Sequence, residues 1–592
     1  MPQILGFAKG REKRWVAMDQ ETTNPGMPRT DLFRDLMAVI PLGVFVGIVM
    51  AIVSNGFVFG VQWLSELRSS LNFFFISIGN FDLELGPTIT LLIACFVILL
   101  VRKIFGISRW HGPADSIYAA HRTDNELDIK HGFGSTVAAF VSAGGGASVG
   151  QYGPLVHFGA TMGSFLRQFF GSRVTTDVFI GCGVAAAIAA GFNAPIAGVV
   201  FAHEAILRHF SLRAMAPIAI ASITASWASS WTLESEPLFL IGNIEPNLIE
   251  LLPAALIAGP IFGLLAVLFM KSLRLSARVA GGYKWSPSHL LFIAALITGG
   301  IGAFVPEVLG LGGETVSSVL QGDYTVLYLF ALLMLKLAVT SLCIGFGLFG
   351  GIFSPAMFIG VTAGALVGRF LASLGLIVAG PGLAICGMSA VAAAVIGAPI
   401  AGVLIILEMT MSYEYALAAM LSVVTSTLIS SAIFGHSFFD RQLLDRKIDI
   451  SQGRGRIEMM ETPLLDVVSQ DYIAIPAGSD VANSVKVLVT AGATEGYLLS
   501  NTDNGFLGKV VIHQLLTANG NECVMEFLMQ NPVIVKHDAS LQQAIEVASD
   551  FVGESIPVVD HTTGQMRGVV TEADLFKLYL NLQNRITDLE RS

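Results

Sequence analysis

The sequence predicts an α-helical membrane protein, internally duplicated and built with broken helices, that runs on into a smaller α/β tail. Three observations carry that reading. The 592 residues are 53% hydrophobic and only 13% charged, with a mean hydropathy of +0.69; a soluble chain of this size needs more charge to cover its surface. Two long apolar stretches recur at nearly one spacing. From about residue 440 the chain turns polar, and short β-branched runs alternate with amphipathic ones.

Taken in order, the N-terminus carries Lys9, Arg11, Lys13, Arg14, Arg29 and Arg34 before the first apolar run. It lacks the form of a cleavable signal peptide, and the excess of positive charge marks residues 1–34 as a cytoplasmic segment. Apolar segments follow at roughly 36–64, 89–105, 135–170, 178–207, 214–232, 249–272, 289–306, 325–347, 351–377, 383–411 and 416–434. Several exceed the ~20 helical residues needed to cross a ~30 Å hydrocarbon core, but many are interrupted by Gly or Pro. The five cysteines show no disulfide or metal-site spacing, and no metal is expected.

The duplication is direct. "CGVAAAIAAGFNAPIAGVV" (182–200) matches "CGMSAVAAAVIGAPIAGVL" (386–404), which puts Pro195 and Pro399 204 positions apart. "GPLVHFGATMGSFLRQFF" (153–170) echoes "SPAMFIGVTAGALVGRFL" (354–371), with Pro154 and Pro355 201 apart. Repeats with helices interrupted at equivalent places mark transporter and channel folds whose site lies between the halves.

Pro is favoured in the first helical turn, so Pro154, Pro195, Pro355 and Pro399 each open a helix at membrane depth. A helix N-terminus offers free N–H groups and partial positive charge, which suits an anion. Glycines at 150, 153, 350 and 351 let backbone approach a ligand. No Asp or Glu occurs between Asp128 and Asp177, or between Asp323 and Glu408, whereas a cation path carries intramembrane carboxylates. The permeant species expected is a small anion. No nucleophile–base constellation points to an enzyme.

"GQYGP" (150–154), "GGIFSP" (350–355), "NAPIAG" and "GAPIAG" resemble the signature loops of the CLC chloride channels and proton-coupled chloride exchangers. The likeness covers about residues 35–445, with repeats at about 35–235 and 249–445. It implies an inverted-repeat helical pore in each subunit of a homodimer, multi-pass in the plasma membrane with both termini cytoplasmic. It also implies anion contacts from the backbone of Ile352 and Phe353 on one side and Gln151, Tyr152 and Gly153 on the other. The first family loop, usually Gly-Ser-Gly-x-Pro, is here "WHGPAD" (110–115), so His111 stands at the serine position beside Gly112. The family's inner gate tyrosine falls on Phe439.

Two departures from the exchanger pattern stand out. The outer glutamate that carries the proton is replaced by Tyr152, and the inner proton-accepting glutamate by Ala205, with Glu204 beside it. A phenol of ordinary pKa near 10 is a poor shuttle at neutral pH. The expectation is passive conduction or uniport of a chloride-type anion, with Tyr152 and Phe439 as gates. The alternatives are a proton-coupled exchanger using displaced carboxylates (His203 with Glu204), a non-conducting sensor plugged by Tyr152 and, disfavoured by the acid-free helices, a divalent cation transporter bearing a tail of the kind described next. Tyr152 also reads as a packing tyrosine whose hydroxyl satisfies a carbonyl, and His111 as a satisfied core histidine. Lys336, Arg167 and Arg369 are expected to snorkel or pair rather than line the path.

In the tail, 446–457 reads as a linker, followed by modules at 458–520 and 524–582. "IPVVDHTTGQMRGVVTEADLFKLY" (556–579) resembles a CBS domain, which implies pairing of two modules and adenine-nucleotide binding, with Thr571 facing phosphate and Asp574 the ribose hydroxyls. The matching stretch of the first module, "GKVVIHQ" (508–514), lacks both the hydroxyl and the acid. A purely structural tail with an empty cleft is the competing reading. No nucleic-acid partner is indicated.

Overall fold

The computed structural model describes residues 29–70, 75–78, 81–122, 125–170, 175–210, 212–232, 247–282, 285–375, 381–501, 505–529 and 531–591. The basic cluster from Lys9 to Arg14 lies outside them. The chain divides into two compact units, residues 1–117 with 127–439, and residues 118–126 with 440–592. The division at 439/440 falls inside a short helix, Phe438–Leu444.

Among the described residues, the first unit is helical apart from one antiparallel strand pair. Helix α1 (Arg29–Ser70) leads into strands β1 (Phe75–Ile78) and β2 (Phe81–Glu84), then α2 (Gly86–Phe105), α3 (Pro113–His121), α4 (Ile129–Gly144), α5 (Tyr152–Phe170), α6 (Thr176–Phe192) and α7 (Pro195–Phe201). Helix α7 continues as a π-helical turn, Ala202–Leu207, before α8 (Leu212–Thr232). The second half comprises α9 (Leu248–Gly282), α10 (Pro287–Gly302), α11 (Gly313–Gln321), α12 (Val326–Gly345), α13 (Phe353–Ser373), α14 (Gly382–Ile396), α15 (Pro399–Thr410), α16 (Tyr413–Phe434) and α17 (Phe438–Leu444). Among the described residues, six helical stretches are long and apolar enough to cross a membrane. The outer faces of α1 and α2 expose Ile52, Phe59, Trp63, Ile93, Phe96 and Leu100, a surface suited to lipid.

The apolar runs expected at 135–170, 178–207 and 383–411 each break into two helices at the Gly and Pro positions. Helix α6 ends on Asn193 and its counterpart α14 on Gly397, both in the left-handed conformation that stops a helix. Close packing repeats too. A Cβ on Gly159 would lie 2.2 Å from the Gly183 carbonyl oxygen, and one on Gly360 2.1 Å from that of Gly387. In each half, glycine is what lets the helix opened by the loop lie backbone-to-backbone on the next.

The halves also meet across equivalent residues. Gly150 donates to the Gly351 carbonyl at 2.7 Å and Gly351 returns the bond at 2.6 Å. These residues are 201 positions apart, the repeat spacing of Pro154 and Pro355. A contact in which residue i meets j and j meets i is what a two-fold relation between the halves produces, as an inverted repeat requires.

The second unit holds α18 (Gly453–Glu461) and two sheets of one topology. The first is β3 (Ala474–Pro476), parallel to β4 (Glu495–Leu499), which is antiparallel to β5 (Phe506–Val511). The second is β6 (Val535–Lys536), parallel to β7 (Ile556–Val559), antiparallel to β8 (Met566–Val570). Helices α19 (Val481–Ala491) and α20 (Ile512–Leu515) pack on the first; α21 (Leu541–Ala548) and α22 (Glu572–Arg591) belong to the second. The modules meet at a buried ion pair. Lys509 Nζ lies 2.6 Å from Glu495 Oε2 and donates to the Ser555 carbonyl at 3.1 Å.

Candidate functional site

Four proline-led helices converge on the interface of the halves. Pro195 and Pro399 are the first residues of α7 and α15; Pro154 and Pro355 are the third residues of α5 and α13. The first-turn amides of all four lack intrahelical acceptors, yet the two pairs differ in what they face.

At α7 and α15 the amides are already occupied. Glu408 accepts from Ile196 N and Ala197 N at 2.9 and 2.8 Å. Glu204 accepts from Ile400 N and Ala401 N at 2.9 and 2.8 Å. Each half thus caps the other's helix with a carboxylate, a charge-assisted bond at the positive end of a helix dipole. Of the four N-termini read as anion sites, these two are filled by the chain itself. Glu204 is committed to a backbone cap, and His203 turns elsewhere, its Nδ1 to the His209 carbonyl at 3.0 Å and its ring stacked on Phe210. The two side chains thus turn to different partners. Ala205 is buried.

At α5 and α13 no carboxylate intervenes among the described residues. Gly150 and Gly351 each donate to the other's carbonyl, which leaves Gln151, Tyr152, Gly153, Ile352 and Phe353 around the junction. The backbone approach is tight. A Cβ on Gly153 would lie 3.1 Å from Gly351 Cα, and one on Gly150 2.9 Å from Ser354 Oγ. The glycines therefore bring the two loops onto each other. Two buried polar atoms at this junction, Gln151 Oε1 and Ser354 Oγ, have no hydrogen-bond partner. Ser354 stands inside the quoted motif but carried no expected role.

Tyr152 is buried, its ring 3.8 Å from that of Phe192 in a stack and 5.6 Å from Phe353 edge-on. Phe192 and Phe353 complete the cluster at 5.1 Å. The Tyr152 hydroxyl donates to the Gly191 carbonyl at 3.3 Å, the packing role weighed against anion contact. Phe192 was missed from sequence because its partner rings lie 40 and 161 positions away. A small apolar cavity borders Phe353, lined also by Phe201, Met357, Met388 and Ser389. Phe439 is buried at the start of α17 with its ring 6.2 Å from Phe438.

The first loop is internally satisfied. His111 N donates to Ser135 Oγ at 3.0 Å and Gly112 N to Asp115 Oδ2 at 2.9 Å. Asp115 is in turn bound by Arg109 at 2.7 Å. An anion taking the Gly112 amide has to displace that carboxylate. The His111 ring lies 5.3 Å from His131 and 6.2 Å from His157. His157 is fully buried, with Nδ1 on Ser116 Oγ at 2.8 Å and Nε2 without a partner. Lys336 is also fully buried, donating to the carbonyls of Val308 and Gly310 at 3.0 and 3.2 Å and sitting over the Phe358 ring. Arg369 donates to the Gly322 carbonyl. Both pair with backbone, as expected.

In the tail, Thr571 and Asp574 come together, but on each other. The Thr571 hydroxyl donates to Asp574 Oδ2 at 2.6 Å, and Asp574 N donates to Thr571 Oγ1 at 3.1 Å. This reciprocal cap opens α22. A nucleotide using both side chains competes with it.

The family model described as "Voltage gated chloride channel" matches residues 90–431, and the CBS domain model matches 524–581. The chain is 28% identical over 355 residues to the voltage-gated ClC-type chloride channel ClcB of Escherichia coli O139:H28 (strain E24377A / ETEC), covering 59% of this chain and 84% of that protein. It is 29% identical over the same length to ClcB of Shigella flexneri. Among solved structures it resembles a slow cyanobacterial Cl−/H+ antiporter (TM-score 0.61, 22% identity, 69% of this chain and 98% of that one). It also resembles a CLC-type fluoride/proton antiporter (0.57, 22%, 68% and 97%) and a eukaryotic CLC transporter (0.57, 18%, 91% and 98%). With broken helices opposed across an inverted repeat, and with more than half its length matched, the chain belongs to the voltage-gated chloride channel family and carries a C-terminal CBS domain.

Proposed function

We propose that this integral membrane protein passes a chloride-type anion passively, as a channel or uniporter, without stoichiometric proton exchange. The observation that carries the reading is the pair of α5 and α13 N-termini facing each other with Tyr152, rather than a carboxylate, at their junction. The anion is held by backbone amides of Gln151, Tyr152, Gly153, Ile352 and Phe353, with the unpartnered Ser354 hydroxyl as an added donor. His111 and Gly112 join the path from the first loop. Tyr152 gates it with Phe192 and Phe353 as a three-ring plug, and Phe439 gates it at the other mouth.

A proton-coupled exchanger is the second reading, favoured by the names of two fold neighbours, a Cl−/H+ and an F−/H+ antiporter. The His111–His131–His157 group supplies titratable rings near the path. The displaced-carboxylate version loses support from the capping role of Glu204. Reconstituted protein under a chloride gradient separates the readings: proton movement at a fixed ratio to chloride rejects the passive one.

The boundaries read from sequence also stand as proposals: a cytoplasmic segment at 1–34, the membrane domain at 35–445, and CBS modules at 458–520 and 524–582. The same applies to a homodimer in the plasma membrane with cytoplasmic termini. A regulatory role for the tail has support within the second unit, where Arg122 Nε lies 3.2 Å from Glu461 of α18 and the Tyr118 hydroxyl donates to the same carboxylate. Residues 118–121 end α3, the helix that begins next to His111 and Gly112. Calorimetry of full-length protein with ATP and AMP tests the nucleotide site at Thr571 and Asp574; no heat in either titration leaves the tail structural.

A further inference from the structure

The second tail module holds a cluster that the anion path does not use. Its origin is the strand register. Val535 pairs with Val558 and Lys536 with Val559 in the parallel β6–β7 pair. The pairing extends one residue further, since His537 N donates to the Val559 carbonyl at 3.0 Å. Parallel strands end at the same edge of a sheet. The residues leaving β6 are His537-Asp538 and those leaving β7 are Asp560-His561, so two His/Asp dyads emerge side by side.

The side chains are close without being hydrogen-bonded. The rings of His537 and His561 stack with centroids 5.6 Å apart and planes 24° apart. His561 Nδ1 is 3.6 Å from Asp538 Oδ1, and His537 Nδ1 is 3.8 Å from Asp560 Oδ1, both beyond hydrogen-bond distance. His537 Nδ1 is buried and has no partner. Asp560 is otherwise engaged, accepting from Thr562 N and Oγ1 and from Arg567 at 3.0, 2.6 and 2.7 Å. Those bonds hold its carboxyl well below the ordinary carboxylate range. One ligand atom each from His537, Asp538 and His561 lies within 4.8 Å of the others.

We infer that His537, Asp538 and His561 form a site for a divalent transition-metal ion of the zinc type. The two imidazoles are borderline ligands that suit Zn²⁺, Ni²⁺ or Cu²⁺, and zinc also accepts a carboxylate oxygen; Mg²⁺ takes all-oxygen ligands in an octahedron. Zn–N bonds of about 2.0–2.1 Å in a tetrahedron require ligand atoms about 3.3 Å apart. Asp538 and His561 are half-exposed turn residues whose rotation supplies that contraction. The ion ties together the ends of β6 and β7 and leaves at least one coordination position open. The site is separate from Thr571 and Asp574. Met566 of β8 pairs with Val559 at the histidine edge, whereas Val570, next to Thr571, pairs with Ile556 at the opposite edge.

The test uses tag-free, chelator-stripped full-length protein in detergent, titrated with ZnCl₂ by calorimetry and equilibrium dialysis. The result expected is one saturable zinc per chain, with affinity weakened at least tenfold in His561→Ala and abolished in the His537→Ala/His561→Ala double variant, and no competition from millimolar MgCl₂. Zinc-edge X-ray absorption on wild-type protein reads the ligands independently of any variant's folding, and two imidazoles are expected. A coordination shell without histidine, or zinc uptake equal in wild type and double variant, overturns the proposal.

Discussion

The N-terminus of α7 and that of α5 begin from one sequence device and end in different chemistry. Both are opened by proline within an apolar run, both have a counterpart in the other half, and both present first-turn amides at the interface of the repeats. At α7 and α15 the amides close on Glu408 and Glu204, so the helix ends are structural bolts between the halves. At α5 and α13 the loops meet glycine to glycine and the nearest side chains are Tyr152, Phe353, Gln151 and Ser354. A helix N-terminus therefore marks an anion site only where the chain supplies no anion of its own. The difference turns on a glutamate nine positions after proline in one motif, "NAPIAGVVFAHE" and "GAPIAGVLIILE", and its absence after "GQYGP" and "IFSP".

The comparison breaks first at the bolts. Glu204→Ala with Glu408→Ala removes four charge-assisted bonds and leaves the first-turn amides of α7 and α15 unpaired; each single change is expected to destabilise the fold by about 3 kcal/mol. Thermal unfolding of the purified protein checks this, with anion flux per folded molecule kept in any single variant that survives. Gly351→Ala comes next. Its Cβ would lie 2.9 Å from Gly153 N and 3.1 Å from the Gly150 carbonyl oxygen, so the loops must part at about 1–3 kcal/mol. Chloride flux should fall more than thermal stability does, because the site is what separates.

Tyr152→Ala sharpens the contrast from the open side. It removes a ring stacked on Phe192 and edge-on to Phe353, worth about 1 kcal/mol of aromatic contact, and should raise anion flux severalfold in vesicles if the rings plug the path. Unchanged flux would return Tyr152 to packing alone. The smallest effect is expected at His111→Ala. If His111 contacts the anion, wild-type flux rises as pH falls through the imidazole range, because protonation adds a positive charge beside the ion, and the variant loses that slope. A flat profile in both proteins would exclude the contact.

Much of this architecture was legible from the residues alone. The 201 and 204 spacings gave the repeat, and the prolines gave the breaks. The tail's second module was readable from "GVVTEAD". What escaped were relations across the repeat. Nothing in the sequence near Glu204 says that its partners are Ile400 and Ala401, so a carboxylate beside the expected proton position kept a relay open as an alternative. Phe192 lay within a quoted motif, but its meaning depends on rings from two other segments. Strands β1 and β2, four residues each between long helices, carried no expected role. In the tail, the His537 and His561 dyads are 24 positions apart and become neighbours only through the β6–β7 register.

The central claim is that replacing the proton-carrying glutamate by Tyr152, with Glu204 held as a cap, leaves anion passage uncoupled from protons. Its most direct measurement is the reversal potential of purified protein in liposomes, with chloride and proton gradients varied independently. The account predicts a reversal potential that follows the chloride gradient alone and does not move when the proton gradient is changed. A reversal potential that shifts with the proton gradient at a fixed chloride-to-proton ratio would contradict it.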